Sequence, residues 1–133
     1  MKACYLDASA LVKLAIREAE TAALRDHLGA YEARMTSRVA QVELSRAFLR
    51  RGDAGGSGTV AIPDVMQNVS VIELDAELAR RAGGLEPPAL RSLDAIHLAS
   101  ALALGDELDA FVTYDTRLAD AARAAGIAVV SPA

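Results

Sequence analysis

Short apolar runs alternate with helical stretches along the whole chain, and this alternation limits the fold more than any other feature. Residues 2–6, 69–74, 110–114 and 127–130 read as strands, with 34–36 a weaker one. The apolar strands lack a polar face, which is the pattern of a sheet covered on both sides. Between them lie helices at 9–17, 20–28, 39–51, 75–83, 92–104 and 116–125, and a short one after Ile62-Pro63. Ser9, Ser37 and Asp75 are the expected N-caps, since a short side-chain oxygen there accepts from an otherwise unpaired helix N–H. Strands joined by helices need crossover connections, and those give a mainly parallel sheet with helices on both faces. Ligands of such sheets sit beyond the carboxyl ends of the strands. That edge is where chemistry is expected.

At 133 residues the chain fits one domain, 1–133. A chain this long buries roughly two-thirds of its unfolded surface and needs no disulfide staples. Hydrophobic residues make up 53% and aromatics only 4%, so the core is built from Ala, Leu, Val and Ile. The one cysteine, Cys4, lies in the first apolar run and reads as a small core hydrophobe in a reducing cytoplasm. The first apolar stretch is too short for a signal-peptide core, and no run approaches the length of a membrane span. The expectation is a cytoplasmic protein with no membrane partner. Residues 52–58 hold four glycines and read as a mobile loop. They lack the Gly-Lys-Ser/Thr ending of a phosphate-cradling loop.

Four acids fall in costly places. Asp7 directly follows the first strand, and Asp115 follows Tyr114 at the end of another. Either one alone reads first as a turn or helix cap. Asp94 sits in Leu93-Asp94-Ala95-Ile96-His97-Leu98-Ala99, where nearly every helical face is apolar, so the helix is expected to be buried. A buried carboxylate needs a cation, donors or a proton. Arg91 is the only base within helical reach; a metal is the better partner, and a cap at the helix start is the other reading. Glu43, in Val42-Glu43-Leu44, reads equally as an i, i+3 ion pair with Arg46.

The case for a site rests on the set. Two acids at strand ends and two on flanking helices would repel one another unless protonated or neutralised by metal. Oxygen-only ligands select hard cations such as Mg²⁺, which keeps open positions for phosphate oxygens. One or two such ions activate water and stabilise a leaving oxygen, the chemistry of phosphodiester hydrolysis. Of the two histidines, His97 stands three positions from Asp94; a mixed metal pair is conceivable, and a hydrogen-bonded core residue is the more common outcome. One Cys and no Cys/His cluster argue strongly against a structural zinc site.

Net charge of −4 argues against a simple nucleic-acid binder with a basic face. Twelve of the fourteen basic residues are Arg, however, grouped at 46, 50 and 51 and at 80, 81 and 91. Arginine suits bidentate phosphate contacts, and an ordinary solvated helix face accounts for any single one as well.

In their local contexts the four acids resemble the motifs of PIN-domain nucleases. Tyr5-Leu6-Asp7-Ala8-Ser9-Ala10-Leu11-Val12-Lys13 is similar to the family's opening motif, and Val42-Glu43-Leu44-Ser45-Arg46-Ala47 to its second. Leu90-Arg91-Ser92-Leu93-Asp94-Ala95-Ile96-His97-Leu98-Ala99 resembles the third and most specific, and Val112-Thr113-Tyr114-Asp115-Thr116-Arg117-Leu118 the fourth. The likeness spans essentially the whole chain and is nearest to VapC-type toxins of bacterial toxin–antitoxin pairs. It implies a three-layer α/β/α sandwich around a mainly parallel sheet of about five strands. It also implies Mg²⁺- or Mn²⁺-dependent cleavage of RNA, with Asp7, Glu43, Asp94 and Asp115 as the catalytic and metal-holding acids. Ser9 and Thr113 match hydroxyl positions near the metal that orient carboxylates or water; an N-cap and a strand residue are their other readings. A homodimer and a small antitoxin, whose carboxyl-terminal segment fills the active-site groove, are further implications.

The resulting expectation is a toxin endoribonuclease that inhibits translation and growth. Water, activated by the metal, attacks phosphorus in line and leaves a 5′-phosphate and a 3′-hydroxyl. Arg46, Arg50 and Arg117 are the expected phosphate contacts. Two alternatives remain. A non-catalytic partner in a toxin–antitoxin complex would fit the loss of a site acid, and all four are present. An aspartate-based phosphoryl-transfer domain would want a late-strand Lys, or Asp where Ser9 stands.

Overall fold

In a computed structural model the described residues are 2–52 and 58–133, so the glycine-rich loop expected at 52–58 lies, apart from its two ends, outside the described residues. The elements run β1 (Ala3–Leu6), α1 (Ala8–Ala15), α2 (Thr21–Leu28), β2 (Ala33–Ser37), α3 (Arg38–Arg51) and α4 (Ile62–Met66). They continue with β3 (Ser70–Ile72), α5 (Ala76–Gly83), α6 (Ser92–Leu102), a single 3-10 turn, β4 (Leu108–Val112), α7 (Thr116–Ala124) and β5 (Val129–Val130).

The five strands form one parallel sheet in the order β3-β2-β1-β4-β5. β1 is buried throughout because it is central, and its side chains alternate between two apolar layers. Cys4 and Leu6, with Val112 of β4, pack against Leu11 of α1, Leu24 of α2 and Leu44 and Phe48 of α3. Tyr5 and Phe111 point the other way, onto Leu98 of α6 and Leu118 of α7. α5 reaches the sheet indirectly, through Leu78 and Ala82 against Ala95 and Ala99 of α6. The result is the expected three-layer α/β/α sandwich.

The order of strands matters for the site. From β1 the chain winds outward through β2 to β3, then crosses back to place β4 on the other side of β1. The strand order therefore reverses between β1 and β4, and a crevice opens there at the carboxyl ends.

Several boundaries differ from those expected, β3 and β5 being shorter, and three differences bear on the site. β4 begins at Leu108 rather than 110, because Ala3 pairs with Leu108 while Cys4 pairs with Ala110. Asp109 is the extra residue of that irregularity and stays exposed, so a polar residue interrupts an apolar pattern without ending the strand. Asp7, not Ser9, is the N-cap of α1: its carboxylate accepts from the Ala10 N–H at 3.0 Å, and the helix starts at Ala8. The N-cap of α6 is Arg91, which makes no side-chain cap bond; Asp94 lies within the first turn. Ser37 and Asp75 cap α3 and α5 as expected. Among the described residues no helix is long and apolar enough to cross a membrane.

Candidate functional site

Asp7 closes β1 at the reversal point and is only 3% exposed. Three donors satisfy it, all neutral. The Thr113 hydroxyl donates to Oδ2 at 2.6 Å, the Ser9 hydroxyl to Oδ1 at 2.7 Å, and the Ala10 N–H caps Oδ1. Ser9 Oγ also accepts from the Tyr114 N–H at 2.9 Å, and Thr113 Oγ1 from the Asp115 N–H at 3.1 Å. The two hydroxyls thus tie the turn after β1 to the turn after β4. Burial pushes the Asp7 pKa up, and the hydroxyl and N–H donors offset only part of that rise.

Asp115 caps α7, accepting through Oδ1 from the Arg117 and Leu118 N–H groups at 2.9 and 3.1 Å. Its cap role and its place at the sheet edge coincide, because a strand-to-helix turn needs an acceptor there. Asp94 is half-buried at the start of α6. Among the described residues it makes no salt bridge, with Arg91 or with any other base. Its pKa is raised first by burial and next by the negative charge of Asp115, with Asp7 and Glu43 adding to the repulsion and His97 opposing it. The four acids from four separate stretches of chain therefore share one electrostatic neighbourhood.

Glu43 departs from its sequence reading. Among the described residues it forms no ion pair with Arg46; instead its Oε1 accepts from His97 Nε2 at 2.6 Å. His97 is 1% exposed, and its Nδ1 lies 2.7 Å from the Tyr5 hydroxyl. The contact joins α3, on one face of the sheet, to α6 on the other. Sequence reasoning left His97 as a core residue and Tyr5 out of the site altogether. The signal that could have raised His97 is its burial one turn after Asp94 on an apolar helix, where both ring nitrogens need partners.

Arg46 and Arg50 are exposed on α3, three and seven residues after Glu43, which places them on the Glu43 side of the helix. Arg117 is exposed in the first turn of α7.

The donor chemistry fits a hard divalent cation. The acids offer oxygen only, and the deepest of them is buried against neutral donors, with no salt bridge among the described residues. Among the described residues no three His, Cys, Asp or Glu side chains already stand as a ready-made metal cage, so the acids are gathered rather than closed around a point.

Residues 4–124 match the PIN domain family model. The chain belongs to the PIN-domain family. Ribonuclease VapC46 of Mycobacterium tuberculosis is 45% identical to it over 132 residues, spanning 99% of each chain. A crystal structure of Mycobacterium tuberculosis VapC20, described as a sarcin–ricin loop cleaving toxin, superposes with a TM-score of 0.73 at 20% identity, covering 97% of this chain and 99% of that one. VapBC2 from Rickettsia felis, solved with a DNA fragment from its promoter, gives 0.63 at 13% identity, with 98% and 99% covered. At those identities the two structures speak for the PIN fold alone.

Proposed function

We propose that this PIN-domain protein is a Mg²⁺- or Mn²⁺-dependent endoribonuclease and the toxin of a toxin–antitoxin pair. The observation that carries the reading is Asp94, a half-buried carboxylate crowded by three others and, among the described residues, in no salt bridge. The name of the 45%-identical relative, a ribonuclease, supports RNA as substrate. The fold shared with the VapBC2 assembly supports a small antitoxin as partner. Residues 1–133 act as one nuclease unit in the cytoplasm, as a homodimer, and arrest growth by cutting RNA needed for translation.

Asp7, Glu43, Asp94 and Asp115 would hold the metal. When bound, the cation acidifies water and offsets charge on the phosphate, which is what in-line hydrolysis requires. The chain does the rest. Ser9 and Thr113 fix the Asp7 carboxylate in one orientation, and the α7 N–H groups do the same for Asp115. Arg46, Arg50 and Arg117 hold phosphates of the strand on the solvent side of the acids. The products are a 5′-phosphate and a 3′-hydroxyl, and no side chain forms a covalent intermediate.

The test is cleavage of mixed RNA by wild type and Asp94→Asn, with Mn²⁺ or with EDTA. Wild-type cleavage should need the metal and fall at least about 100-fold in the variant, the scale expected when a group that stabilises transition-state charge is lost. Equal cleavage by both proteins, or full activity in EDTA, removes the assignment.

A further inference from the structure

We propose that His97, backed by Tyr5, is a positioning residue that holds Glu43 in the acid set. This rests on reading Glu43 as a metal-holding acid.

The two capping acids need no such help. Asp7 and Asp115 have short side chains pinned by helix N–H groups at the sheet edge. Glu43 has a longer, more flexible side chain, and it projects from the middle of α3, where backbone N–H groups are already used by the helix. Repulsion from the neighbouring acids would favour rotamers that swing its charge into solvent. The His97 contact opposes that motion, and it engages Oε1, leaving Oε2 without a hydrogen bond among the described residues.

The hydrogen-bond roles follow from which atoms can donate. An ionised carboxylate only accepts, so Nε2 carries the proton facing Glu43. In the neutral ring Nδ1 is then an acceptor, and the Tyr5 O–H is placed to donate to it at 2.7 Å. Tyr5 is wholly buried, and its ring stacks on Phe111 with centroids 5.3 Å apart and planes 16° from parallel, so the phenol cannot swing away. A rigid donor thereby sets the tautomer and plane of the imidazole, and the imidazole sets the carboxylate. Partners of this kind typically change metal affinity roughly 10- to 100-fold when removed.

The experiment is Mn²⁺ titration of the full chain by calorimetry, with urea unfolding of each variant alongside. Wild type should bind. His97→Leu should bind at least about 10-fold more weakly, approaching Glu43→Gln. His97→Gln, which can still donate to Glu43, should recover to within about 3-fold of wild type. Tyr5→Phe should lose about 3-fold alone and nothing further in the His97→Leu background. Wild-type affinity in His97→Leu, no rescue by Gln, or independent effects of Tyr5→Phe and His97→Leu would each overturn the proposal. Should His97→Leu not fold, unchanged affinity in Tyr5→Phe overturns it instead. A role confined to joining α3 and α6 would lower unfolding stability and leave Mn²⁺ affinity where it was. A wild type that binds no Mn²⁺ removes the metal reading itself, a different outcome from binding that ignores His97.

Discussion

At the residue scale, Asp7 stands between stability and chemistry. Burial raises its pKa above the ordinary 3.8, as it does for Asp94. A carboxyl whose folded pKa is raised binds its proton more tightly when folded. Its contribution to stability is fully present below the unfolded pKa and is lost as pH rises through the folded value. The metal-free protein should therefore lose stability from these two groups as pH climbs from about 4 toward neutrality. Asp7→Asn removes the buried charge while keeping an oxygen for Ser9 and Ala10. In EDTA at about pH 8 it should melt above wild type, by about 4 °C for each kcal/mol relieved, while nuclease activity disappears. The gain should shrink near pH 4; an Asn variant that melts below wild type in alkaline EDTA would contradict this balance. Thr113→Val acts in the opposite direction. It preserves volume but strips Asp7 of its shortest donor and leaves the Asp115 N–H without its acceptor. The expected loss is about 1–3 kcal/mol in urea unfolding, and a neutral result would mean water replaces the hydroxyl. The four acids were legible as residues because each stands where a bland role is expensive or belongs to a recognisable motif. The Glu43–His97 contact was not legible. Its partners lie 54 positions apart on different helices, while Arg46 offered a nearer match along the chain.

At the scale of elements, capping explains what could be read and what could not. Ser37 and Asp75 marked true helix starts because each directly precedes its helix and its side-chain oxygen accepts from a first-turn N–H. Asp7 and Ser9 compete for the same turn, and the acid takes the cap while the hydroxyl turns back to donate to it. Strand ends drifted for a different reason: pairing partners set them, and a single-chain pattern does not contain the partner. Helix α3 carries the clearest element-level prediction. Ser37 starts it, and Gly52 ends it at φ 80°, a left-handed conformation that glycine adopts without strain. Between them Glu43, Arg46 and Arg50 run along one side of the helix. If that side faces the RNA backbone, Arg46→Ala/Arg50→Ala in an Asp94→Asn background should weaken binding of single-stranded RNA. The slope of log K against log salt should become shallower by roughly 0.7 for each phosphate that is no longer neutralised. An unchanged slope takes both arginines out of the interface.

At the scale of the whole molecule, the parallel sheet is what makes four distant acids neighbours. Reversal of strand order between β1 and β4 brings Asp7 and Asp115 to one crevice, and the helices on opposite faces supply Glu43 and Asp94. The alternation of apolar runs and helices made this architecture legible, because crossovers leave few other arrangements. The same convergence concentrates part of the formal −4 charge at one edge. One divalent ion would offset half of that formal charge, so a cation that binds only the folded chain should stabilise it. At about 100 times its dissociation constant the gain is about 2.7 kcal/mol, on the order of 10 °C in a domain of this size. Because Mn²⁺ and protons compete for the same raised-pKa carboxylates, the shift should be smaller near pH 5 than near pH 8. Asp94→Asn should blunt it at both. Melting curves with Mn²⁺ or EDTA at the two pH values check this directly. A shift equal at both pH values, or retained in the variant, would place the cation away from these acids.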